Sequence, residues 1–395
     1  MNAPIVELKS DRIILIDALR GYALMGLFLV HMVEYFELYW YSPPTKTDPV
    51  TTWVFGLFGG KAYAMFALLF GVSFYIILKR NADRGIDFRG RFVWRVSLLF
   101  LIGYLHGLIY SGDVLQVLSI AGLLLVPLWF APNWVLLLIS VTLLLQSTTY
   151  GFVVWMGMHD VPYVKPFFME LQKPVYEYYA HGTLPQVLMA NAVGGTLGKW
   201  SYMLESGRFA NIVGLAFLGF WLGKIGLFTN LKRYGKSYPA LLVCALLLAI
   251  GCLYSDHAFN AIPHPEKMDD TWTGILEMYG NTLFAFVSIL TLVILYRYQP
   301  VQKVLNFLAA PGRMTLSMYC GQSLMMVPLF YHFGGEGFVW MSQSYALFLG
   351  LVLWALQVIL ANWWIKRFNY GPLEWCWRAA TYGTTAIAFR KRTPN

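Results

Sequence analysis

Ten stretches of about twenty mostly apolar residues run along this chain, and each has the length and composition an α-helix needs to cross a lipid bilayer. They fall at roughly 13–34, 52–78, 92–111, 113–130, 133–156, 208–228, 237–255, 274–296, 314–332 and 344–366. In hydrocarbon a backbone must satisfy its own hydrogen bonds within the segment, so only helices or closed barrels span it. Runs of this length select helices. The expected fold is therefore all-α: a polytopic integral membrane protein of ten transmembrane helices. The composition agrees, since 58% of the 395 residues are hydrophobic and only 12% charged, about half the charged share of a soluble domain. No cleavable signal peptide is expected. The opening MNAPIVELKSDR is polar, and the run after it carries charges and lacks a small-residue cleavage site.

Charge sets the orientation. With both termini placed in the cytoplasm, 22 of the 29 lysines and arginines fall in inner segments or at inner helix ends. They include Lys79, Arg80, Arg84, Arg89, Arg91 and Arg95, a group from Lys224 to Lys236, Arg297, Lys303 and Arg313, and the basic C-terminal end. Lys9, Arg12 and Arg20 complete the set, and the other seven, Lys46, Lys61, Lys165, Lys173, Lys199, Arg208 and Lys267, are scattered outside. This asymmetry predicts an N-in, C-in topology. It also accounts for the net charge of +9, so no nucleic-acid partner is expected. Cys244, Cys252, Cys320 and Cys376 form no CxxC pair. No disulfide and no metal site is expected.

The whole of 1–395 reads as a single membrane domain. Residues 157–207 form a long outer segment rich in aromatics and broken by Pro and Gly. Its simplest reading is one or two interfacial amphipathic helices, with the alternative that part of it covers a site. "GPLEWCWRAATYG", 371–383, suits an interfacial helix on the inner side, with Trp375 and Trp377 as anchors. Glu374 and Arg378, four apart, are spaced to pair along one face.

Ionisable groups inside a span need a partner, a wet cavity or a function. The first span, "LIDALRGYALMGLFLVHMVEYF", holds four. Arg20 and His31 are eleven apart, close to three helical turns, so they share a face about 16 Å long. Asp17 and Glu34 extend that stripe at its two ends. The Asp17–Arg20 end reads as an ion pair fixing the start of the helix. His31 is either a structural hydrogen-bonding group or a general base, and spacing alone leaves both open. A second polar group lies in "GYLHGLIYSGDVLQVL", 103–118: His106, Asp113 and Gln116 around the Ser111-Gly112 turn. Asp113 is a good N-cap for the following helix, and His106 is more open.

"ILIDALRGYALMGLFLV", "GDVLQVLSIAGLLL", "APGRMTLSMYCGQSLMMVPLF" and "YGPLEWCWRAATYG" together resemble the YeiB family of bacterial membrane proteins, whose C-terminal half is the DUF418 domain, here about 208–395. That family is similar to two groups of membrane acyltransferases, the acyltransferase-3 proteins and the heparan-α-glucosaminide N-acetyltransferase. The resemblance implies transfer of an acyl group from a cytoplasmic acyl-CoA to a sugar or other small acceptor at the bacterial inner membrane. Those relatives share a D-x-x-R-[GA] opening, matched by Asp17, Arg20 and Gly21. In the acyltransferase-3 group an essential histidine follows the arginine by eleven residues, which falls on His31, although asparagine is common there in YeiB-like sequences.

On this reading the catalytic candidates are His31 first and His106 second. Asp17, Arg20, Glu34, Asp113 and Gln116 bind substrate or support the site. Arg95 and Arg313 are the cationic candidates for the donor's phosphates. The expected partners are membrane lipids and a small-molecule or glycan acceptor, with a homodimer left open. The competing reading is a transporter or exporter, with Asp17, His31, His106, Glu277 and Asn281 lining a path. Against it, no paired repeats with matched broken helices are evident.

Overall fold

The computed structural model describes residues 13–391 apart from 44–47, 148, 150, 152–154, 156–157, 160–166 and 261–265. Lys9, Arg12, Lys46, Lys165 and part of the fifth expected span lie outside the described residues. The described chain is helical throughout, with one isolated antiparallel bridge, Phe368 to Arg390, where the C-terminal end folds back.

The helices are α1 (Ile14–Val33), α2 (Pro49–Leu57), α3 (Lys61–Ala82), α4 (Arg89–Gly107), α5 (Leu115–Leu125), α6 (Asn133–Leu144), α7 (Phe167–His181) and α8 (Leu184–Ala190). They continue as α9 (Thr196–Glu205), α10 (Arg208–Ile225), α11 (Ser237–Asn260), α12 (Glu266–Leu295), α13 (Gln299–Arg313), α14 (Thr315–Phe330), α15 (Gln343–Arg367) and α16 (Pro372–Tyr382). Among the described residues five helical segments are long and apolar enough to cross a membrane: Ile14–Tyr41, Pro49–Ala82, Arg208–Ile225, Thr273–Leu295 and Gln343–Arg367. Leu115–Leu125, Asn133–Leu144 and Ser237–Cys252 are apolar but shorter. The α5 and α6 helices thus fall well short of the roughly 20 residues of a complete span.

The first helix is central. It packs against α3, α13, α14 and α15, and Leu19, Leu24, Phe28 and Met32 along it are fully buried. Its contact with α13 is backbone against backbone. A Cβ on Gly21 would collide with the Leu308 carbonyl, and one on Gly312 with the Asp17 carbonyl. Small residues allow that approach between apolar helices. The sequence reading treats 299–313 as an inner connection. The structure makes it a helix, and Gly312 brings the neighbouring Arg313 to the Asp17 end of α1.

The helices α7 to α9 lie over the α4–α5 turn. The helices α7 and α9 pack together, joined through α8 and a π-helical turn, Asn191–Gly195. Tyr179 on α7 is fully buried, its hydroxyl 2.7 Å from Ser111 Oγ and 2.5 Å from Asn191 Oδ1. Asn191 in turn donates to the Leu108 carbonyl at 2.9 Å. This part of the segment is a cover over the turn that carries Asp113.

The C-terminal helix corrects one expectation. Glu374 does not pair with Arg378. Its Oε1 accepts from the backbone N–H of Leu316 at 2.7 Å and of Ser317 at 3.1 Å, and its Oε2 from Ser317 Oγ at 2.5 Å. The first N–H groups of a helix have no partner within it, so Glu374 caps α14 from another helix. Trp377 packs on α4, donating from Nε1 to the Arg95 carbonyl at 2.7 Å.

Candidate functional site

The polar stripe of α1 splits into two sites. At its N-terminal end Arg20 Nη1 lies 3.2 Å from Asp17 Oδ1, and Arg20 also reaches Ser73 Oγ on α3. This end ties two helices together. At the other end His31 and Glu34 enter a cluster built from four parts of the chain.

The most deeply buried ion pair of that cluster is His106 with Asp113. His106 Nδ1 stands 2.8 Å from Asp113 Oδ2, with the side chains 4% and 0% exposed. A carboxylate oxygen accepts, so Nδ1 donates to it, and in the neutral imidazole the lone pair is then on Nε2. That Nε2 is buried and has no hydrogen-bond partner among the described residues. The other oxygen of Asp113, Oδ1, accepts from the backbone N–H of Leu115 at 3.0 Å and of Gln116 at 3.4 Å. Asp113 therefore caps α5 with one oxygen and orients the imidazole with the other. The cap makes the carboxylate rigid. The His106 ring is held by Tyr319, with centroids 5.1 Å apart, and by Tyr110 at 6.2 Å.

Gln116 sits one turn into α5. Its Oε1 accepts from Trp200 Nε1 at 3.3 Å, while its Nε2 is buried without a partner among the described residues. Lys199, beside Trp200, is 3% exposed, and its ammonium makes no hydrogen bond among the described residues. Burial pushes this amine down to about 8, and the charges of Asp113 and Glu37 act against that fall. Two nitrogens, His106 Nε2 and Gln116 Nε2, are thus buried near Asp113 with hydrogen-bonding capacity unspent, and the Lys199 ammonium faces the Trp200 ring at 5.8 Å.

Tyr110 joins this group to His31. Its ring packs against His31 at 5.3 Å. His31 Nδ1 lies 3.2 Å from the Tyr110 hydroxyl, which donates to Glu37 Oε1 at 3.2 Å. Tyr176 donates to the other Glu37 oxygen at 3.4 Å, and Glu34 Oε2 stands 3.7 Å from His31 Nδ1. Glu37 owes its place to an unusual backbone: Tyr35, Phe36 and Glu37 have φ values of 48°, 47° and 85°. Left-handed residues other than glycine are uncommon and cost about 1–3 kcal/mol each. The turn is held from outside. Tyr35 donates to the Met341 carbonyl at 2.7 Å, Tyr331 donates to the Phe36 carbonyl at 3.2 Å, and the Phe36 ring is 1% exposed.

His31, Glu34, His106, Asp113 and Gln116 therefore come together, and Asp17 and Arg20 stand apart from them. Arg95 stacks on Trp377, its Cζ 3.7 Å from the ring centroid, at the opposite end of α4 from His106. Arg313 belongs with the Asp17 end. Glu277 and Asn281 are in contact at 3.4 Å, and Asn281 accepts from Lys61 at 2.8 Å. Sequence reasoning missed Tyr110, Glu37, Tyr176 and Lys199. Glu37 lies only three residues beyond Glu34, but no helical register reveals a left-handed turn.

Residues 12–209 match the family model described as heparan-alpha-glucosaminide N-acetyltransferase, catalytic, and residues 222–384 match DUF418, a protein domain of unknown function. The chain is 25% identical to the uncharacterized protein YxaH of Bacillus subtilis (strain 168), over 95% of each chain. It is 24% identical to an uncharacterized 39.9 kDa protein from the amylase 3' region of Bacillus acidopullulyticus, over 94% of each. With the uncharacterized protein YeiB of Escherichia coli (strain K12) it shares 26% identity over 96% of this chain and 99% of that one. The chain belongs to the family described as heparan-alpha-glucosaminide N-acetyltransferase, catalytic, through residues 12–209, carries a DUF418 domain at 222–384 and is a homologue of YeiB.

Proposed function

We propose that this protein is an acyltransferase of the bacterial cytoplasmic membrane, moving an acyl group from an acyl-CoA donor to a sugar or other small hydroxyl or amino acceptor. One observation carries the reading: a buried histidine whose Nδ1 is fixed by a carboxylate and whose Nε2 is unspent. That is the arrangement of a general base with its orienting group. The sequence ranks His31 ahead of His106. The geometry favours His106, because Asp113 fixes its tautomer, while His31 Nδ1 is shared between Tyr110 and Glu34.

The chemistry balances with the residues present. His106 Nε2 takes the proton from the acceptor as its oxygen or nitrogen attacks the thioester carbonyl. The negative charge formed on the carbonyl oxygen is met by Gln116 Nε2, a donor with no other partner among the described residues, and by the Lys199 ammonium. The carbon–sulfur bond then breaks, and His106 returns its proton to the leaving thiolate. Glu37, Tyr110 and Tyr176 supply hydrogen-bonding groups for acceptor hydroxyls, and the segment from α7 to α9 excludes bulk water.

The test uses the purified full chain in detergent, with acetyl-CoA as donor and a panel of amino sugars and polyols as acceptors. Thiol release and acylated product are measured together. His106→Gln keeps a polar side chain and removes the base, so the rate falls by about 10²–10⁴. Full activity in that variant moves the base to His31, which His31→Asn then tests. No thiol release by the wild type with short- or long-chain acyl-CoA, alongside solute flux in liposomes, favours the transporter.

A further inference from the structure

We propose that Arg91, Arg95 and Arg378 form a binding site for a phosphate ester, at the end of α4 opposite His106. The argument begins with Glu374. It is the acid of α16 spaced to neutralise Arg378, and both of its oxygens are committed to the start of α14. The guanidiniums left behind are held on aromatic rings. Arg95 lies over Trp377 at 3.7 Å, and Arg91 and Arg378 lie over the one ring of Tyr382 at 5.1 and 5.4 Å. Arg378 also faces Tyr370 at 5.0 Å.

Among the described residues no carboxylate hydrogen-bonds to any of the three. Arg89, two residues from Arg91, is different: it pairs with Asp87 through Nη2 at 2.7 Å and Nε at 2.9 Å. The first turn of α4 holds no acid, so its positive end adds to the same field. Three like charges held on three neighbouring rings repel, and a stacked guanidinium keeps its planar edge free. A phosphate relieves the first and uses the second through paired N–H···O contacts.

The register of α4 says where such a ligand leads. Arg95 and His106 are eleven residues apart, on one face and about 16 Å along the axis. A phosphate ester anchored at Arg95 needs an extended arm of about that length to reach the His106–Asp113 pair. Coenzyme A has that form, and as its site the cluster rests on the acyltransferase reading. A phospholipid headgroup has the same phosphate chemistry and needs no such reading.

The experiment separates the two sources. Full-length protein in neutral detergent is titrated with radiolabelled coenzyme A, and its retention of phosphatidylglycerol is measured by native mass spectrometry. Arg378→Gln and Arg91→Gln are compared with Arg89→Gln, whose side chain already has a partner, and melting curves confirm folding. Loss of one charge-assisted contact weakens binding about tenfold or more. Weaker coenzyme A binding in both test variants, with Arg89→Gln unchanged, identifies the donor site. No coenzyme A binding by the wild type, but phosphatidylglycerol lost from both test variants, identifies a headgroup site. In that case the proposal stands and the donor reading fails. Wild-type levels of both probes in folded Arg378→Gln and Arg91→Gln overturn the proposal.

Discussion

At the residue scale, Lys199 is the most telling side chain. A buried lysine without a hydrogen bond is a cost to folding, so its presence asks for a purpose. Burial lowers its amine from 10.5 to about 8. Between those values the unfolded chain binds a proton that the folded one does not, so stability rises with pH across that window. Below about 8 both states are protonated and the full penalty remains, about 3 kcal/mol for a shift of this size. Lys199→Met is therefore expected to raise the melting temperature at pH 7 and to flatten the rise between pH 8 and 10, while acyl transfer falls. An unchanged or lower melting temperature would show that the ammonium is satisfied. His106, Asp113 and Gln116 were legible in the sequence because they lie within one hairpin. Lys199 was not, because it meets Asp113 across 86 positions of chain, and no local pattern marks such an encounter.

At the scale of elements, the apolar helices and the C-terminal amphipathic helix were legible, and α13 was not. The α13 helix is too polar to register as a span, with Gln299, Gln302, Lys303 and Arg313 in fifteen residues and Pro311 near its end. Only its fit against α1 shows why it is helical. Leu305 and Ala309 bury beside Ala18, and Gly312 meets the Asp17 carbonyl directly. Overpacking such a contact costs about 1–3 kcal/mol and displaces backbone. Gly312→Ala is expected to reduce the yield and melting temperature of purified protein. Gly280→Ala, in α12, meets no heavy atom within 4 Å, and gains helix propensity. Equal behaviour of the two variants would mean that the α1–α13 contact is not close. The C-terminal motif shows the same limit from the other side. The spacing of Glu374 and Arg378 permits a pair, and the orphan N–H groups of α14 win the carboxylate.

At the scale of the whole molecule, the histidine cluster and the arginine cluster occupy opposite ends of α4, and that separation fits transfer between two faces of a membrane. We propose that the arginine end is cytoplasmic, as the excess of basic residues there implies, and that the cover from α7 to α9 faces outward. The helices of the N-terminal half qualify the span count. The α5 helix has 11 residues and α6 has 12, so each rises about 16–18 Å, against a hydrocarbon core of about 30 Å. The turn that carries Asp113 lies beneath Tyr179 and its neighbours, which suits a site shielded from water. Ten crossings with both ends inside make a definite forecast for reporter fusions. Fusions after residues 45, 90, 180, 235 and 265 are expected to report outside, inside, outside, inside and outside in turn. The one at 180 lies within α7 and decides the matter: an inside signal there would put the histidines and the donor phosphates on exchanged faces and defeat the topology.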